Sequence, residues 1–200
     1  MIIMTDELST REAYLLLSSC VLPRPIAWVT SVSSNGIVNA APFSFFNVVS
    51  TDPPMVMIAV SKRKGDPKDT SRNISESRTF VVNIVNESLA QTMNLTSADF
   101  PESVSEIERA GLTLAPSARI PVPGILLSPI RLECKLHTQL EIGNAPTDMI
   151  IGEVVAIHVD DEVMTGGRID ARKLKAIGRL SGSNYCRTTE LFRMERPKTI

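Results

Sequence analysis

Two hundred residues, 43% hydrophobic and 22% charged, suffice for one domain with a real core and exclude a disordered chain. A formal net charge of −1 excludes recruitment to nucleic acid or to an anionic membrane by bulk charge. Three scattered cysteines (Cys20, Cys134, Cys186), with no CxxC pair and no histidines at ligand spacing, argue against a disulfide framework and against a structural zinc site.

In chain order, the first residues carry acids where a signal peptide would carry bases, and no run of about 18 apolar residues follows anywhere. The expectation is a cytoplasmic protein with no membrane span. Residues 6–20 suit a short helix with polar starters and an apolar face at Ala13, Leu16 and Leu17. Pro23 and Pro25 then deliver an extended segment, IAWVTSVS. The Ser34-Asn35-Gly36 turn sends the chain back through IVN as a hairpin. Residues 54–61 and 79–85 are apolar runs of strand length.

Residues 131–142 alternate, with Leu132, Cys134, Leu136, Thr138, Leu140 and Ile142 on one face, as in a half-buried antiparallel strand. Residues 149–159 are apolar on both faces and predict a central strand. Helices are predicted at 68–77, 87–96 and 104–110, the last stopped by Gly111. No repeat or linker divides the sequence, so residues 1–200 read as one domain. The strands cluster instead of alternating with helices, which predicts a mainly β fold, an antiparallel barrel with peripheral helices.

The sequence has no GxGxxG in a strand–turn–helix setting, no GxxxxGK[ST], no HExxH and no GxSxG. Of its two histidines, His137 falls on the polar face of its strand and His158 in an apolar one, so they read as a solvated side chain and a satisfied imidazole. A metallohydrolase or a Ser–His–Asp machine needs more than this. An enzyme whose hard chemistry belongs to an organic cofactor does not. No catalytic side chain and no metal ligand are therefore predicted.

Two segments carry chemistry. In Asn39-Ala-Ala-Pro-Phe-Ser-Phe-Phe-Asn47, three phenylalanines interleave with small polar residues around a proline that cannot join a ladder. Such a segment is either the wall of a pocket for a planar polar ligand or a bulged edge strand with a local aromatic core. The second, Ser61-Lys-Arg-Lys-Gly-Asp-Pro-Lys68-Asp69-Thr70, places cations and a hydroxyl before a helix start. Those are the parts of a phosphate site, and equally of a solvated basic loop in which Asp69 caps the helix or orients Lys68.

Taken together, RPIAWVTS, NAAPFSFFN, DPP, KDT, FVVN, TSADFP, SEIERAGL, LECKL and IGRLSGSNY, in this order over residues 14–187, resemble the flavin reductase-like proteins with an FMN-binding split barrel, the flavoredoxin group. The resemblance implies a six-stranded antiparallel split β-barrel and a homodimer with FMN held near the subunit interface. Residue by residue, it implies Thr30 and Ser31 beside the flavin. Asn39, Ala41, Pro42, Ser44, Phe45, Phe46 and Asn47 would surround its ring and ribityl chain. Lys68 and Thr70 would lie at the phosphate, with Ser61 and Arg63 as further candidates. Arg179 and Tyr185 would stand near the exposed side of the ring.

The implied activity is an NAD(P)H-dependent oxidoreductase acting on flavin or a small acceptor, with NADH or NADPH as donor. Two alternatives stay open: an FMN electron-transfer protein that serves a redox protein partner, and a non-catalytic flavin- or haem-binding module. Nicotinamide use rests on the family resemblance alone. Thr30, Asn39 and Ser44 are the expected donors toward the charge that reduction leaves on the ring.

Overall fold

The computed structural model describes residues 1–63 and 65–197. Helix α1 (Thr10–Cys20) begins four residues later than the pattern predicts, after a single 3-10 turn at Thr5–Glu7. Its start is fixed by Ser9 and Glu12, which satisfy each other's backbone amides in a capping box. The two prolines then deliver β1 (Ala27–Val32), and Gly36, at φ +80°, makes the turn into β2 (Val38–Phe43). Strands β3 (Phe46–Thr51) and β4 (Pro54–Ser61) follow, then α2 (Asp69–Ser77) and β5 (Thr79–Ile84).

The predicted helix at 87–96 is a 3-10 turn running into α3 (Ala90–Leu95), and that at 104–110 is one turn, α4 (Glu106–Arg109). A small ladder of β6 (Leu114–Ala115) and β7 (Gly124–Ile125) precedes the two longest strands, β8 (Ile130–Ile142) and β9 (Thr147–Val159). The chain continues through β10 (Met164–Thr165), β11 (Arg168–Ile169), α5 (Ala171–Leu174), β12 (Ile177–Arg179) and β13 (Tyr185–Arg187).

The main sheet is antiparallel throughout, in the order β2-β1-β5-β8-β9-β4-β3. Its two end strands are joined by only Ser44 and Phe45, and Ala59 N–H donates to the Phe45 carbonyl at 2.8 Å. The sheet thus curls back on itself as a split barrel. It holds seven strands where six were expected, because the segment from Asn39 to Asn47 is not one edge but two strands broken at Ser44-Phe45. As expected, β9 is central, between β8 and β4.

The barrel interior is filled by Val29, Phe46, Ile58, Phe80, Cys134 and Ile150, with Ile74 of α2 inserted among them. Strand β1 is buried on both faces: Trp28, on the other side from Val29, packs with Met93, Ile107 and Ile125. The regular alternation of β8 does not survive folding. Bulges at Glu133/Cys134 and Leu136/Thr138 bury Glu133 and Cys134 together and leave Leu140 and Ile142 exposed. Among the described residues, no helix is long and apolar enough to cross a membrane.

Candidate functional site

As an edge strand, β2 leaves one row of amides and carbonyls outside the sheet, and Pro42 sits there at no cost to a ladder. Two cavities meet at this edge and share Pro42, Phe43 and Ser97. The first, about 490 Å³, opens between α1, Ser44, α3 and the β12–β13 tail, and is lined by Tyr14, Gln91, Asn94, Arg179 and Tyr185. The second, about 410 Å³, lies between β2, the start of α2 and residues 96–106. Each is large enough for part of a cofactor-sized ligand, and together they make an elongated site.

The second cavity is built around the N-terminus of α2. Lys68 occupies the cap position in extended backbone (φ −69°, ψ 158°), and among the described residues no side chain caps the helix. The first amides of the helix are therefore left for a ligand, with the positive end of the helix dipole behind them. Asp69 neither caps the helix nor orients Lys68: it pairs with Arg72, which also holds Glu102 at 3.0 Å. Arg63 reaches the same cavity and pairs with Asp99 at 2.9 Å.

Beneath the helix runs a buried polar chain. Thr70 Oγ1 donates to Asn39 Oδ1 at 2.9 Å, and Asn39 Nδ2 donates to Glu106 Oε1 at 2.8 Å. The other Glu106 oxygen accepts the Ala40 amide of the free edge at 3.1 Å. Burial pushes the Glu106 carboxyl above its ordinary value, against the opposing pull of its hydrogen bonds from Ala40 and Asn39.

In the first cavity, Arg179 lies over the Tyr185 ring, 4.6 Å from its centroid, and donates to the Tyr185 hydroxyl and the Gly182 carbonyl. Tyr185 in turn reaches Asn94 Oδ1 at 3.4 Å.

Of the predicted site residues, the structure gathers Asn39, Ala41, Pro42, Arg63, Lys68 and Thr70 on the second cavity. Ser44, Arg179 and Tyr185 lie on the first, within one chain. The others line neither. Thr30, on β1, is fully buried and its hydroxyl is spent on the Pro123 carbonyl at 2.7 Å, so it is a fastener of the 116–123 loop. Ser31 is buried too, donating weakly to Asn39 Oδ1 (3.5 Å) and accepting from Asn73 at 3.2 Å, one layer behind the wall. Phe46 points into the barrel core. Phe45 is part-exposed and packs on Tyr14, with ring centroids 6.3 Å apart. Asn47 and Ser61 are exposed on their strands.

Sequence reasoning missed Tyr14, Asn94, Ser97 and Glu106. Ser97 and Glu106 fall inside the TSADFP and SEIERAGL motifs, which carried the resemblance without a role for either residue. Both histidines lie away from the cavities: His137 is exposed, and His158, part-exposed, pairs with Glu133. Burial alone would raise Glu133. The His158 imidazole and the Ala118 and Arg119 amides outweigh it and hold the carboxyl below its ordinary value.

The model of the flavin reductase like domain matches residues 18–173, a span that contains β2 and the start of α2. The chain belongs to the flavin reductase-like family. Among solved structures, this flavin reductase-like protein is similar to nitrilotriacetate monooxygenase component B from Bacillus cereus. The two share 41% identity over 97% of this chain and 98% of the other, with a TM-score of 0.94. It is similar also to the Pseudomonas fluorescens 2-nitrobenzoate 2-nitroreductase NbaA, at 41% identity, 98% and 96% coverage and a TM-score of 0.90. The uncharacterized protein BH2278 of Halalkalibacterium halodurans is 44% identical over 96% of this chain and 94% of its own length.

Proposed function

We propose that this flavin reductase-like protein holds FMN across the two cavities and works as an NAD(P)H-dependent oxidoreductase on flavin or a small acceptor. The observation that carries the reading is the pairing of an uncapped helix start beside Lys68 with a tyrosine- and amide-lined cavity across a shared wall, Pro42 and Phe43. The residues fit the group: the α2 amides and Lys68 suit a phosphate, and the edge of β2 with Ser44 suits a planar polar ring. Of the acids near the phosphate end, Asp99 pairs with Arg63 while Asp69 and Glu102 share Arg72, and burial biases Glu106 toward its neutral form.

Bound FMN supplies the hydride and electron chemistry. The chain's own part is to bind, orient and exclude water. Lys68 and Thr70 anchor one end, Phe43 and Pro42 close off the barrel core, and the Ser44 hydroxyl donates toward the ring. Arg179 and Tyr185 form the rim against which a nicotinamide or acceptor packs. Neither histidine lines either of these two cavities, which favours a flavin over a histidine-held haem.

Apolar side chains exposed on β3 and β8 (Val48, Val49, Leu140, Ile142) support a homodimer, for which light scattering would give twice the chain mass of 21.9 kDa. The free cysteines suit the reducing cytoplasm.

The test is anaerobic mixing of the FMN-bound protein with NADH and, separately, with NADPH. Bleaching of the yellow colour by either supports the reductase. A yellow protein indifferent to both makes it a carrier for a redox protein partner, and a chain with no affinity for FMN overturns the reading.

A further inference from the structure

Behind the first cavity lies a cation that the site as described does not use. Arg24 is 5% exposed. Its guanidinium donates to the carbonyls of Ser18, Val21 (3.2 Å) and Leu180 (3.0 Å) and to Ser44 Oγ at 3.4 Å. Its backbone pairs with that of Arg179 in both directions, at 3.0 and 2.8 Å. One residue thus ties together the end of α1, the β12–β13 tail and the Ser44 link, three of the elements around the first cavity.

Among the described residues no carboxylate comes within ion-pair distance of it. A buried guanidinium is a permanent charge whose desolvation carbonyl dipoles offset only in part. A neutral amide could donate to one or two of the same carbonyls without that cost. The contact that gives the charge a use is the one to Ser44, a residue of the cavity lining: an oxygen that accepts from a guanidinium is a stronger donor through its own O–H. No acidic side chain lines that cavity among the described residues, and Arg179 adds a second positive charge at its rim.

We propose that Arg24 is a positioning residue that sets the charge preference of the first cavity, favouring through Ser44 a ring that carries negative charge over the same ring neutral. The inference rests on the FMN reading. A hydride from the reduced nicotinamide, or two electrons from dithionite with one proton from water, turns the neutral oxidised ring into a monoanion. No bond to the protein forms or breaks. Arg24 then holds the reduced form more tightly than the oxidised one.

The test measures, on the full-length FMN-bound protein, the affinity for oxidised FMN and the midpoint potential in a dithionite titration against a reference dye. Arg24→Gln is expected to reduce the preference for reduced over oxidised FMN about tenfold, a fall of about 30 mV for the two-electron couple. Arg24→Lys keeps the charge and should retain most of that preference, while Ser44→Ala should lower it in the same direction.

An Arg24→Gln protein that binds FMN with the parent's potential overturns the proposal, even where its melting temperature falls, since a purely structural clasp would do that. If Arg24→Gln does not fold, Ser44→Ala decides, and an unchanged potential there overturns it equally. A parent chain that does not bind FMN overturns the earlier reading and this one together, and is recognised by the affinity measurement before any potential is taken.

Discussion

Around the first cavity the charged groups are Arg179 at the rim and Arg24 behind Ser44, with no acid among the described lining residues. The second cavity gathers Asp66, Asp69, Asp99, Glu102 and Glu106 against Arg63 and Lys68. The same edge strand serves both, so the contrast comes from what packs on either side of it. On one side the uncompensated positive charge leaves room for a ligand whose own charge changes. On the other, Arg63 and Arg72 already hold carboxylates, so a fixed anion must be met by helix amides and by Lys68, which has no ion pair among the described residues. One cavity suits a ring that changes charge and the other a phosphate that does not.

The contrast depends first on the wall between the cavities. Phe43 is 8% exposed and lines both, so Phe43→Ala should merge them. A loss of about 3–5 kcal/mol in urea unfolding is expected, together with loss of FMN binding. Retained affinity would show that the two halves need no partition.

A smaller effect separates wall from lining. Thr30→Ala breaks a buried hydrogen bond to Pro123 and should cost about 1–3 kcal/mol of stability while leaving the affinity for oxidised FMN unchanged. A matching fall in affinity would return Thr30 to the ligand.

The smallest effect is a pH dependence confined to the second cavity. Because burial raises the Glu106 carboxyl, the folded chain binds that proton more tightly than the unfolded chain. Stability therefore falls as pH rises from the ordinary carboxylate value through the raised one. Glu106→Gln should remove this slope, so that melting temperatures of the parent drop relative to the variant over that window. Glu133, held below its ordinary value, contributes the opposite slope at lower pH in both proteins and cancels in the difference.

Much of this arrangement was legible in the sequence, because Pro42 on an edge strand and the cations before α2 are local features with local physical causes. The strand count was misread where Ser44-Phe45 breaks one aromatic-rich run into two strands. Thr30, Ser31 and Phe46, expected at the ligand, line neither cavity for a different reason. In a split barrel with helices on its outside, β1 is buried on both faces, so a polar residue on it serves the packing behind the wall as readily as the site. Glu106 and Arg24 act across 66 and 20 residues of chain, and such pairings become visible only once the fold brings the segments together.

The central claim, a ring on one side of Phe43 and a phosphate at the start of α2, is tested most directly by titrating oxidised FMN and riboflavin into the parent and into Lys68→Ala. The account predicts that the parent prefers FMN and that Lys68→Ala weakens FMN by about 5- to 150-fold, leaving riboflavin unchanged. Equal weakening of both ligands, or of neither, would contradict it.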